Sequence, residues 1–200
     1  MTDLSLNEVE VLASKVARGA GYSWGLADDV GRCARKLAAA ALPWAEALKN
    51  LAADAPMPGA ALKAGKDLCP IRTGAMLADE RAIDPARPLR ISTVVSPLWL
   101  AAFAALPGGP ASAGISWRAA KVNVRGGHIG VACGDDLLAA RADVTFGPAF
   151  NEAAPRPARS RGFVSSDMLK SLEAIAARTY VPASEESRAK GAGGARIDDE

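Results

Sequence analysis

The hydrophobic period of this chain changes near Arg90, and that change limits its folds more than any other feature. Before it, apolar residues recur at helical spacing. Ser5-Leu6-Asn7-Glu8 is a capping box, in which Ser5 accepts from the Glu8 N–H and Glu8 reaches back to Ser5. Val9, Leu12 and Val16 follow on one stripe, and Gly19 and Gly21 are expected to stop that helix. A second stripe runs through Leu26, Val30, Cys33, Leu37 and Ala41. Pro43 opens a third helix with Trp44, Leu48 and Leu51 on its face. Residues 5–54 therefore predict a three-helix layer.

From Arg90 to Val95 the residues are β-branched and read as a strand. Ser96-Pro97 caps a short apolar helix that ends at Leu106. Ile115 to Val124 reads as one strand with a bulge at Ala119-Ala120. Gly126-Gly127 is a hairpin turn into a return strand through Ile129, Val131 and Cys133. Asp143 to Phe146 is a further strand. Strands that are neighbours in sequence predict an antiparallel meander rather than a βαβ sheet. The expected class is α+β: an N-terminal helical layer packed on a small antiparallel sheet, closed by a C-terminal helix.

Residues 55–88 are rich in Pro and Gly and hold short helical pieces at most. Residues 1–154 are expected to form one domain. A basic, Pro-rich linker follows over 155–163, then a C-terminal helix over 164–178, capped by Ser165 or Ser166 with Leu169, Leu172, Ile175 and Ala176 inward. A partly ordered Gly-rich tail spans 179–200. Half of the residues are hydrophobic, enough for a core, while a net charge of +2 supplies no strong field for nucleic acid or an anionic membrane. The longest apolar run, Leu98 to Leu106, is far short of the ~20 residues of a membrane helix. The opening MTDLSLNEVE has no basic segment before an apolar run, unlike a secretory leader. Three widely spaced cysteines form no disulfide framework and no zinc knuckle. A soluble cytoplasmic protein is the expectation.

Several short stretches carry candidate chemistry. In AGYSWGLA, Tyr22 and Trp24 either pack an elbow between two helices or form the lip of a pocket, and the elbow is the commoner use of large aromatics. Cys69-Pro70-Ile71-Arg72 sets a thiol near an arginine. A phosphatase loop needs its arginine six positions after the cysteine, where Ala75 stands. His128 is the sole histidine, so a multi-histidine zinc site is impossible, and no G-x-S-x-G elbow supports a serine triad. Asp135 and Asp136 read as solvated turn acids. Lys15, Arg18, Arg32, Arg35 and Lys36 offer charge for a helix-turn-helix, but Asp28 and Asp29 at the start of the second helix would repel DNA. The Gly191–Gly194 cluster lacks the spacing of a phosphate loop.

The segments LSLNEVEVLASKVARGAGYSWGLADDVGR, CPIRTGAMLAD and ARTYVPASEESRAKGAGGARIDDE, in that order, resemble an uncharacterised, mainly proteobacterial family of unknown function over the whole chain. That resemblance implies no activity and no catalytic residue. The first forty or so residues are also similar to the N-terminal helices of the malate/L-lactate dehydrogenase superfamily that lacks a Rossmann fold. That superfamily carries its catalytic histidine in a Ser-His-Gly segment, and no histidine precedes His128 here, so no dehydrogenase activity is implied.

With no catalytic constellation in view, the expected role is a non-catalytic small-molecule-binding or accessory protein, self-associating or bound to a partner protein. The ligand-binding candidates are Tyr22, Trp24, Cys69, Arg72, Arg178, Tyr180 and Arg188. Arg72, Arg178 and Arg188 would clamp the carboxylate or phosphate of a small anionic metabolite. Two alternatives stay open: an enzyme that uses Cys69 or Tyr180 with an arginine clamp, and a structural partner subunit. No metal or cofactor is implied.

Overall fold

A computed structural model describes residues 1–55, 68–79, 84, 86–151 and 158–179. Three helices open it: α1 (Leu6–Gly19), α2 (Trp24–Ala39) and α3 (Trp44–Ala53). The capping box forms as expected. The Glu8 N–H donates to Ser5 Oγ at 3.2 Å, and the Ser5 N–H donates to Glu8 Oε2 at 2.7 Å. The bond from the Ser5 backbone holds the Glu8 carboxyl below the usual carboxylate range. Gly21, at φ +102°, makes the left-handed step after α1. The N–H of Tyr22 then reaches Ala17 O and that of Gly21 reaches Arg18 O, each at 3.0 Å, closing a Schellman motif. Gly19 plays a different part from the one expected. It is the last helical residue, and a Cβ there would sit 2.0 Å from Ile175 O.

The end of α2 repeats this device at the same offset in sequence. Ala41 takes φ +54°, its N–H donates to Ala38 O at 3.0 Å, and the Leu42 N–H donates to Leu37 O at 2.9 Å. Tyr22 and Leu42, the residues after each left-handed step, are both buried, and Trp24 and Trp44 open the next helices. Pro43 stands just outside α3 as its N-cap.

The strands are β1 (Thr2–Ser5), β2 (Leu89–Val95), β3 (Ser112–Trp117), β4 (Ala120–Arg125), β5 (His128–Cys133), β6 (Arg141–Gly147) and β7 (Arg161–Val164). Further helices are α4 (Pro70–Asp79), α5 (Leu98–Ala104) and α6 (Ser166–Ala176), the last followed by a 3-10 turn, Ala177–Thr179. The class is α+β. The main sheet is antiparallel with order β2-β6-β3-β4-β5. The last four strands make a Greek key, with β6 returning to lie beside β3, so the expected meander is corrected. The expected single strand through Ile115 and Val124 is a hairpin instead. Trp117 pairs with Ala120, and Arg118 turns the chain at φ +46°. The return loop is tied to β3 by Trp117 Nε1, which donates to Asp136 O at 2.9 Å. The Gly126-Gly127 hairpin forms as read, both residues at positive φ.

β7 occupies Arg161–Val164, where a linker was expected through residue 163, and pairs antiparallel with β1. Alternation over four residues was too short a signal to compete with the prolines before it. The helix expected over 164–178 is α6, capped by Ser165, whose Oγ accepts from the Met168 N–H at 3.2 Å. It packs on α1 and α3. The tail from Tyr180 lies outside the described residues, as do 155–157 of the linker.

At the centre lies α5, all seven of whose residues are buried. It contacts α2 and α4 on the helical side and β4 on the sheet side. One continuous core joins Trp99, Leu100 and Phe103 to Leu37 and Leu48 of the helices and to Ile115, Val122 and Phe146 of the strands. Trp99 Nε1, buried with its ring, donates to Ala47 O at 3.3 Å. Among the described residues no helix is long and apolar enough to cross a membrane.

Two predictions follow from backbone and side-chain satisfaction. A left-handed non-glycine residue costs about 1–2 kcal/mol, and glycine loses part of that gain to chain entropy. Ala41→Gly should therefore raise stability by about 0.5–1 kcal/mol, read as a higher urea midpoint at unchanged slope. In β4, buried Asn123 donates from Nδ2 to Phe150 O at 2.6 Å and accepts the Phe150 N–H at 2.8 Å. Asn123→Ala strands both groups and should cost about 1–3 kcal/mol in the same assay.

Candidate functional site

The register of β2 positions the first group of candidate residues. Its pairing with β6 shifts between Ile91 and Val94. Within that bulge Thr93 sits at φ +48°, an unusual conformation for a β-branched residue. Asp143 supports it by accepting the Thr93 N–H at 2.8 Å. The bulge turns the Thr93 carbonyl toward Leu68, whose N–H donates to it at 2.8 Å, and the Val95 N–H donates to Leu68 O at 3.1 Å. Leu68 is thereby bridged to Val94, and Cys69 is set at the mouth of α4, its carbonyl accepting the Thr73 N–H at 3.0 Å.

This brings Cys69 to the elbow. Cys69 Sγ lies 3.8 Å from Tyr22 Oη, although the two are far apart in sequence. Tyr22 is only 3% exposed. Burial first, then the neighbouring thiol, pushes its hydroxyl well above the ordinary tyrosine range, and the positive charge of Arg72 opposes this. Burial thus favours the neutral, hydrogen-bonding form of the hydroxyl. Trp24 faces the other way: it is 72% exposed, with the Arg18 guanidinium 4.3 Å from its ring centroid. Arg18 Nη1 also donates to Tyr22 O, so the arginine braces the turn between the helices. Tyr22 thus fills the elbow, and Trp24 lies on the surface.

Of the arginines expected to clamp an anion, the two described sit on separate elements. Arg72 is exposed on α4, which packs against α5 and α2. Arg178 is exposed in the 3-10 turn, which packs against α1 and α6. Tyr180 and Arg188 lie outside the described residues. His128 begins β5, paired with Arg125, and no hydrogen bond links it to Cys69 among the described residues. Asp136 is held at φ +60° by the return loop, and Cys133 Sγ lies 3.8 Å from Asp135 Oδ2. Among the described residues no group of His, Cys, Asp and Glu is placed to hold a metal ion.

A different feature of α4 forms a cavity. Gly74, Leu77 and Ala78 recur at helical spacing on the face turned toward α5. With Leu100, Phe103 and the loop Gly108–Pro110 they enclose about 340 Å³. Gly74 is needed there, because a Cβ on it would lie 2.4 Å from Cγ and Cδ2 of the Phe103 ring. The ring rests on the bare backbone of α4. Among the described residues, none that lines the cavity is charged or carries a nucleophile. Reading for chemistry drew attention to Cys69 and Arg72 and passed over the apolar i, i+3, i+4 triplet that follows. That triplet was the available signal.

No curated protein and no solved structure matches the chain. Residues 4–84 match the model of a family described as a protein of unknown function (DUF3726). The matched segment takes in α1 to α4 and with them Tyr22, Cys69, Arg72 and Gly74. Over residues 4–84, then, the resemblance to an uncharacterised family of unknown function is supported.

Proposed function

We propose that the protein is a non-catalytic binder of a small, largely apolar molecule, and that its site is the cavity between α4 and α5. The observation that carries this reading is the lining. Ligand sites commonly enclose roughly 300–1,000 Å³ and are mostly apolar. This cavity falls in that range at about 340 Å³, and among the described residues that line it no titratable side chain could move a proton or attack a substrate. Phe103 offers an aromatic wall, which suits a planar or aromatic group. Among the described residues of this lining, an anionic metabolite has no charged partner.

The enzyme reading has one observation in its favour, the contact of Tyr22 Oη with Cys69 Sγ. Burial disfavours the ionised form of that phenol, which counts against Tyr22 as a base. The binding reading therefore leads.

The test uses Ala78, an exposed residue at the rim of the cavity. Ala78→Phe fills the space without entering the core. The neutral dye N-phenylnaphthylamine should bind the wild-type protein saturably, with a rise in fluorescence. Ala78→Phe should weaken that binding by about tenfold or more, which corresponds to about 1.4 kcal/mol. Arg72→Ala, on another face of the same helix, should leave it unchanged. Dye binding that persists undiminished in Ala78→Phe would remove the cavity as the site.

A further inference from the structure

The end of α2 meets the β4–β5 hairpin across a second, smaller pocket of about 140 Å³. Its walls are apolar: Leu6, Ala39, Ala40 and Ile129. Three nitrogen-bearing side chains line it as well, Arg35 and Lys36 from α2 and His128 from β5. Lys36 Nζ donates to Gly127 O at 3.0 Å, which fixes the ammonium against the hairpin. An ammonium has three N–H donors, so two are left for another acceptor. Arg35 gives one N–H to Glu10 at 3.0 Å, and the fork of the guanidinium has others. Glu10 is the carboxylate partner of this group, and Arg125 stands beside it as the cross-strand neighbour of His128.

A helix C-terminus ordinarily repels anions through its unpaired carbonyls. Here those carbonyls are occupied. Lys36 O accepts the Ala40 N–H, Leu37 O the Leu42 N–H, Ala38 O the Ala41 N–H, and Ala39 O the Arg159 N–H at 2.8 Å. The last of these comes from the strand-bound segment that also supplies Ala158 to the pocket. With the negative end of α2 engaged, the cationic side chains decide the local field.

We propose that this pocket binds a small oxyanion, a phosphate or a carboxylate, with Lys36 and Arg35 as charged donors and the His128 imidazole as a third hydrogen-bonding group. Charge-assisted hydrogen bonds from fixed cations are the strong kind, and Lys36 is already held in place by Gly127. The site is separate from the apolar cavity on α4 and does not depend on it.

His128 is the sole histidine, so its ring protons report on the pocket without assignment. Inorganic phosphate and acetate, titrated in separate experiments at constant ionic strength set with chloride, should shift those resonances saturably for at least one of the two anions. Half-saturation is expected at about 1 mM or below. Arg35→Gln keeps the Lys36 bond to Gly127 and should weaken the binding by about tenfold. Lys36→Met should do so at least as strongly. Saturation by phosphate alone assigns the site to phosphates, and saturation by acetate alone to carboxylates. Linear, unsaturating shifts with both anions, or an affinity unchanged in both variants, would overturn the proposal.

Discussion

The fold depends on the burial of α5. A helix with the sequence LWLAAFA has no charged side chain, and its one polar side-chain group, the Trp99 N–H, is taken by Ala47 O, so it is stable only when covered all round. The helices α2 and α4 cover one side and the sheet covers the other. Each large side chain buried here contributes roughly 1.5–3 kcal/mol. Along the chain, α1 to α4 and β2 precede the buried helix, and the other four strands of the main sheet follow it.

Both sites are consequences of how closely neighbours approach this arrangement. At α4 the approach is set by the missing side chain of Gly74, which lets the Phe103 ring lie on the helix backbone and leaves space beside it. At the end of α2 the approach is set by polar groups instead. The Lys36 bond to Gly127 and the Arg159 bond to Ala39 hold a hairpin and a strand-bound segment against the helix terminus. One contact surface is apolar and the other cationic, so the same scaffold presents two unlike surfaces. The Tyr22–Cys69 contact joins the elbow to α4 and bears on neither.

What was legible in the sequence was local. Ser5 and Glu8, Gly21, the Gly126-Gly127 turn and Ser165 each act within a few residues, and each does what its chemistry predicts. The return of β6 to β3 was not legible, because nothing between Cys133 and Arg141 says which edge the chain will rejoin. The turn at Arg118 was hidden for another reason: an arginine at positive φ carries none of the glycine or asparagine signal that marks a hairpin. Which of the two elbow aromatics would be buried was not legible either: Tyr22 is buried and Trp24 exposed. The Cys69 contact with Tyr22 depends on the strained bulge at Thr93, a feature with no signature in a run of β-branched residues.

The pairing of β1 with β7 joins residues near the two extremes of the described chain, Thr2 with Val164 and Ser5 with Arg161. On a ribosome β1 is made before its partner, which waits for more than a hundred and fifty further residues. At about 5–20 residues per second that interval is on the order of ten seconds. The capping box lets α1 begin during that time, because Ser5 and Glu8 satisfy each other without any later residue. The strand beside it remains an open edge until β7 has been made, which leaves the nascent protein open to wrong pairing at β1.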